Sequence, residues 1–162
     1  MTVTPKTKKV LVMGVGNTLL QDDGIGVHVT ESLKASYSTQ DINILDGGTI
    51  GLSLLPEIED ADAVIIIDAS EIGERPGSMR IFRNAEIDQQ LSGKKRTVHE
   101  VAVSDLFSAA AIRGRCPAER ALIAIQPGST ELGLEMTADV QAAVPGACEA
   151  INSITHKWRN EA

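Results

Sequence analysis

Three compact apolar runs constrain this chain more than any other feature. They are Val10–Val15 (VLVMGV), Ala63–Ile67 (AVIII) and Arg120–Ile125 (RALIAI). Each is far shorter than the roughly 18 consecutive apolar residues a membrane-spanning helix needs. Each is also too uniformly apolar for a strand with one wet face, so all three read as strands buried on both sides. The patterns between them are helical. Ile25, Val29 and Leu33 recur at helical spacing, and Leu52, Leu54, Leu55 and Ile58 suggest a short helix. Val101, Leu106, Phe107, Ala110 and Ala111 give a longer one ending near Gly114. A last helix carries Val140, Val144, Ile151, Ile154 and Trp158, with Thr137 as a cap and Pro145-Gly146 set to kink or split it. Ile42–Leu45 is a second short strand broken by Asp46-Gly47-Gly48-Thr49, and Ser78–Arg83 alternates as an exposed antiparallel edge should.

The order β-α-β-α-β-β-α-β-α predicts an α/β three-layer sandwich. It is a twisted, mostly parallel sheet of about five strands, with one antiparallel edge strand and helices on both faces. No linker or repeat interrupts residues 1–162, which read as a single domain with a flexible segment 1–8 and a frayed end at 155–162. Aromatics make up 2% of the residues, so the core must rest on Val, Ile, Leu and Ala.

Charge narrows the partners. Lys and Arg total 15 against 22 Asp and Glu, a formal charge of −7. That balance excludes a nucleic-acid backbone as ligand. The single basic cluster, Lys94-Lys95-Arg96, reads as a solvated loop. The polar start MTVTPKTKK has no apolar leader core, so no membrane partner and a cytoplasmic location are expected. Cys116 and Cys148 lack metal-binding or redox spacing and read as free packing thiols.

In open parallel sheets, ligands bind beyond the carboxyl ends of the strands. The first strand leads there to Asp22-Asp23, the second to Asp46 and the third to Asp68, while the loop Thr97-Val98-His99 enters the Val101 helix from the same side. Several carboxylates and one imidazole from separate loops suit a divalent transition metal. Each residue also has a plain structural role open to it. Asp22 or Asp23 can cap a helix, Asp68 can satisfy loop amides, Asp46 can make a turn and His99 can cap or face solvent. Gly14-Val15-Gly16 begins a dinucleotide fingerprint, but Leu19 occupies the third glycine position. There is no phosphate-binding GxxxxGK[ST], no HExxH and no GxSxG elbow.

The segment from Gly14 to Gly26 (GVGNTLLQDDGIG) resembles the opening motif of the hydrogenase maturation endopeptidases. Asp46-Gly47-Gly48-Thr49, Ile66-Ile67-Asp68-Ala69, Pro76-Gly77-Ser78, His99 and Ile125-Gln126-Pro127 continue the match in order. The resemblance implies an endopeptidase, of aspartic or metallo type, that removes the C-terminal extension of a [NiFe]-hydrogenase large subunit after nickel insertion. Cleavage would follow the basic or His residue that ends the subunit's last CxxC-type motif. Asp23, Asp68 and His99 fall at the metal positions. The first of these is Glu in some members and Asp here. Asp46 matches an acidic position near the site, where it or Asp23 would serve as the catalytic base. Asp46, Gly47, Gly48 and Thr49 would bind substrate. The implied metal is nickel carried by the precursor, and the same donor set accommodates other divalent metals. The large-subunit precursor is the expected partner, met by a monomer.

Overall fold

A computed structural model describes residues 7–36, 42–49, 51–92 and 98–160. Five strands form one sheet: β1 (Val10–Val15), β2 (Ile42–Gly48), β3 (Ala63–Ala69), β4 (Met79–Arg83) and β5 (Glu119–Ile125). Their order is β2-β1-β3-β5-β4. All neighbours run parallel except β4, which pairs antiparallel with β5 at the edge. Among the described residues, six α-helices pack around them: α1 (Ile25–Lys34), α2 (Leu55–Asp60), α3 (Ala85–Leu91), α4 (Val98–Ile112), α5 (Ala138–Gln141) and α6 (Val144–Asn160).

Side chains alternate across a strand, and the two cores follow that alternation. Val10, Val12, Ile65, Ile67, Ile123 and Ile125 face α1, α5 and α6, where Trp158 closes the layer. Leu11, Met13, Val64, Ile66, Leu122 and Ala124 face α2, α3 and α4. Each buried aliphatic side chain contributes about 1.5–3 kcal/mol, so a core nearly without aromatics still suffices.

Several elements differ from expectation. β2 is not broken at Asp46 but continues to Gly48, because Gly14 pairs with Asp46 and Val15 with Gly48. The slip absorbs Gly47 as a bulge. α3 was not anticipated; only Ile87 and Leu91 in it are buried. Among the described residues α4 already includes Val98 and His99, so His99 lies on the helix rather than ahead of it. The last helix does split, as its Pro145-Gly146 pair suggests, into α5 and α6, with Pro145 in the first turn of α6, where its missing N–H costs nothing. Residues 155–160, expected to fray, continue α6 because Thr155 and Trp158 are buried. The Lys94–Arg96 cluster and residues 1–6 lie outside the described residues.

From β1 the chain crosses first to β2 on one side and then to β3 on the other. The strand order therefore reverses between β1 and β3, and the carboxyl ends of such a pair are where open α/β sheets bind ligands. Glycine brings α1 down onto the sheet there. A Cβ on Gly26 would stand 2.2 Å from the Ile67 carbonyl oxygen, and one on Gly14 would stand 2.0 Å from the Gly26 carbonyl oxygen. The two glycines thus let helix backbone touch sheet backbone.

Candidate functional site

Asp23 sits on a single 3₁₀ turn, Gln21–Gly24, between β1 and α1. Gly16 makes that approach possible, with φ of +131° and no room for a side chain 1.9 Å from the Asp23 carbonyl oxygen. The Asp23 carboxylate accepts the Asn17 backbone N–H at 2.9 Å. The same oxygen lies 2.9 Å from His99 Nε2 on α4. Burial pushes the Asp23 carboxyl up, but the hydrogen bonds from His99 and Asn17 and the His99 charge outweigh it, and the net shift is downward. His99 moves the other way. Its hydrogen bond to Asp23 overcomes burial and, with the Asp23 and Glu100 charges, raises the imidazole above its ordinary value.

Asp68 is the penultimate residue of β3, opposite Ala124 of β5. It shares the sheet face of Val64 and Ile66, under α4, and is only 2% exposed. Its Oδ1 is buried and has no hydrogen-bond partner among the described residues. Burial first, then the Glu100 and Asp23 charges, hold this carboxyl well above the usual range, against the Ala69 amide. Three acidic groups and one imidazole therefore share a poorly solvated corner. A cation entering it would relieve the cost of ionising Asp68. Among the described residues, no three His, Cys, Asp or Glu side chains are grouped so as to hold a metal ion by themselves.

Asp46 lies at the end of β2, exposed, its Oδ1 accepting the Gly48 N–H at 2.8 Å. Gly48, with φ of +49°, passes its carbonyl to the Gly16 N–H at 2.9 Å. The Asp46-Gly47-Gly48-Thr49 segment thus abuts the turn leading to Asp23, although among the described residues Asp46 makes no hydrogen bond to Asp23, Asp68 or His99.

Two carboxylates take roles the sequence reading missed. Asp22 caps no helix. Fully buried, it accepts N–H bonds from Gly128 (2.8 Å), Ser129 (2.9 Å) and Thr137 (2.7 Å), and the Thr137 hydroxyl at 2.8 Å. The Thr137 hydroxyl, expected to cap α5, is spent here instead. Burial raises the Asp22 carboxyl, but the Ser129, Thr137 and Gly128 donors together bring it below its ordinary value. Glu100 is also buried. A signal for it existed: Glu100, Val103 and Phe107 follow i, i+3, i+7 spacing, which puts the carboxylate on the core face of α4. Gln126, after β5, orders the loop beyond β3 by accepting the Ile72 N–H at 2.8 Å and donating to Glu71 at 2.9 Å. Burial raises both cysteine thiols, consistent with packing roles.

A family model described as hydrogenase maturation protease matches residues 27–154. The chain belongs to the hydrogenase maturation protease family. It is similar to the hydrogenase 2 maturation protease of Escherichia coli K12, 37% identical over 145 residues and 88% of either chain. It is 34% identical over 156 residues to the hydrogenase expression/formation protein HupD of Rhizobium leguminosarum bv. viciae, covering 95% of this chain and 77% of that one. Its fold is similar to the hydrogenase maturating endopeptidase HybD from E. coli, with a TM-score of 0.87 at 34% identity, covering 92% and 93% of the two chains. The [NiFe] hydrogenase maturation protease HybD from Thermococcus kodakarensis gives 0.76 at 27% identity, over 91% and 99%. The chain is accordingly a peptidase of hydrogenase maturation.

Proposed function

We propose that this chain is an endopeptidase that removes the C-terminal extension of a [NiFe]-hydrogenase large-subunit precursor once nickel is in place. In this reading it acts as a monomer in the cytoplasm. It recognises the precursor's nickel through Asp23, Asp68 and His99. The observation that carries the reading is Asp68: a buried carboxylate with an orphaned oxygen, beside the His99–Asp23 pair. Nickel accepts carboxylate and imidazole donors, and its charge would compensate an ionised Asp68. A site whose metal arrives on the substrate need not be a closed cage beforehand. An empty precursor would offer these residues no charge partner, which makes cleavage wait for nickel.

Hydrolysis needs a group to take a proton from water. Asp23, held ionised by Asn17 and His99, and the exposed Asp46 are the two candidates, with Gly47, Gly48 and Thr49 along the path of the peptide. The precursor's metal, once docked, would polarise the scissile carbonyl or the water. No helix among the described residues is long and apolar enough to cross a membrane. Mass spectrometry of a nickel-loaded precursor incubated with the protein tests the reading. The large subunit should lose one C-terminal peptide, and a precursor that binds but stays full length would overturn it.

A further inference from the structure

Beside the Asp23 turn lies an apolar patch that the cleavage chemistry does not use. Leu19 is 54% exposed, Leu132 83% and Leu134 71%. The first precedes the Asp23 turn, and the other two bracket Gly133 in the loop after β5. Backbone bonds hold these segments together: the Gly133 N–H donates to Leu19 at 2.8 Å, and the Gln21 N–H donates to Gly133 at 2.9 Å. Leu20 and Gly133 form a parallel bridge.

Three large exposed leucines on neighbouring backbone are unusual on a protein surface unless something covers them. Their position says what passes over them. Leu19 is four residues from Asp23, so their Cα atoms are at most about 14 Å apart. An extended peptide with its scissile bond at Asp23 therefore reaches the leucines within about four residues. Charge says more. Leu132 and Leu134 stand in the run Glu131-Leu132-Gly133-Leu134-Glu135, with both carboxylates exposed. The surface suits a partner segment that is apolar and carries a basic residue. It is also pre-shaped, since Asp22 holds the Gly128, Ser129 and Thr137 ends of the loop from inside, which lowers the ordering cost of binding.

We propose that Leu19, Leu132 and Leu134, flanked by Glu131 and Glu135, form the surface on which the precursor's extended segment beside the scissile bond docks through apolar and basic side chains. The proposal rests on the protease reading above. Its test is the kinetics of precursor shortening by the full chain carrying Leu132→Glu and Leu134→Glu together. KM should rise by at least about tenfold, as expected for losing two buried leucine contacts, with kcat within about twofold. The milder Leu132→Ser/Leu134→Ser pair should shift KM in the same direction with unchanged circular dichroism. Ile112→Glu is the control. Ile112 is as exposed, at 87%, but sits at the far end of α4 from His99, and its KM should be that of the wild type. In Glu131→Gln/Glu135→Gln, KM should rise at low salt and lose the salt dependence of the wild type. Wild-type cleavage with unchanged KM in both leucine pairs would overturn the docking surface and leave the protease reading standing. So would unchanged KM together with loss of a self-association seen for the wild type by sedimentation, which would assign the patch to a second copy. A wild type that shortens no nickel-loaded precursor would overturn both.

Discussion

His99 Nε2 on α4 stands 2.9 Å from the Asp23 carboxylate on the turn after β1. Segments 76 residues apart are thus joined beyond the carboxyl end of β1 by one charge-assisted hydrogen bond. Its consequence is a coupled shift, with Asp23 lowered and His99 raised. Because the folded imidazole holds its proton more tightly than the unfolded one, the pair's contribution through His99 is complete below about pH 6.5. It is lost as pH rises through the raised folded value. NMR titration of the His99 ring should give a value above 6.5, the ordinary imidazole figure. In Asp23→Asn the value should fall, and an unchanged titration would remove the pair from the account.

Asp22 should matter as a fastener. It satisfies four donors in the buried interior, so Asp22→Asn strands several of them and should cost about 3 kcal/mol by urea denaturation at neutral pH. The folded carboxyl is lowered, so its contribution is present above the unfolded value of about 3.9. It is lost as pH falls through the folded value. The gap between variant and wild type should therefore narrow toward pH 3.

Asp68 predicts the reverse. Its folded carboxyl is raised by burial and by the Glu100 and Asp23 charges. Its stabilising contribution is complete below about pH 3.9 and is lost as pH climbs toward the folded value. Asp68→Asn should therefore gain stability relative to wild type between pH 4 and 8 while losing precursor processing by about a hundredfold or more. Denaturation midpoints across that range, with parallel cleavage assays, check both halves.

Gly26→Ala tests how the site is assembled. The new Cβ would meet the Ile67 carbonyl oxygen at 2.2 Å and the Val15 carbonyl oxygen at 2.6 Å, both backbone atoms with little freedom to yield. A loss of about 3 kcal/mol is expected from such overpacking. A variant as stable as wild type would mean that α1 does not need this approach.

What the sequence revealed of this arrangement depended on the range of the cause. AVIII followed by Asp68 is a local pattern: a strand buried on both faces leaves its first polar residue at the carboxyl edge, and Asp68 is there. The edge strand Met79–Arg83 was legible from its alternation for the same reason. Asp22 was not legible, because its partners Gly128, Ser129 and Thr137 lie more than 100 residues away and leave no local trace. Alone, an aspartate before a helix reads as a cap. α3 escaped because its two buried residues, Ile87 and Leu91, span a single turn too short for a period to show. The meeting of Asp23 and His99 followed from topology only as a shared edge; the contact itself needed Gly14, Gly16 and Gly26 to bring backbones together.

The proposed reading of nickel by Asp23, Asp68 and His99 stands or falls on one comparison. Purified protein is incubated with the same large-subunit precursor, nickel-loaded in one reaction and nickel-free in the other, and shortening is followed by mass spectrometry. The account predicts loss of the C-terminal peptide from the loaded precursor and cleavage slower by about a hundredfold or more without nickel. Equal rates for the two precursors would contradict it.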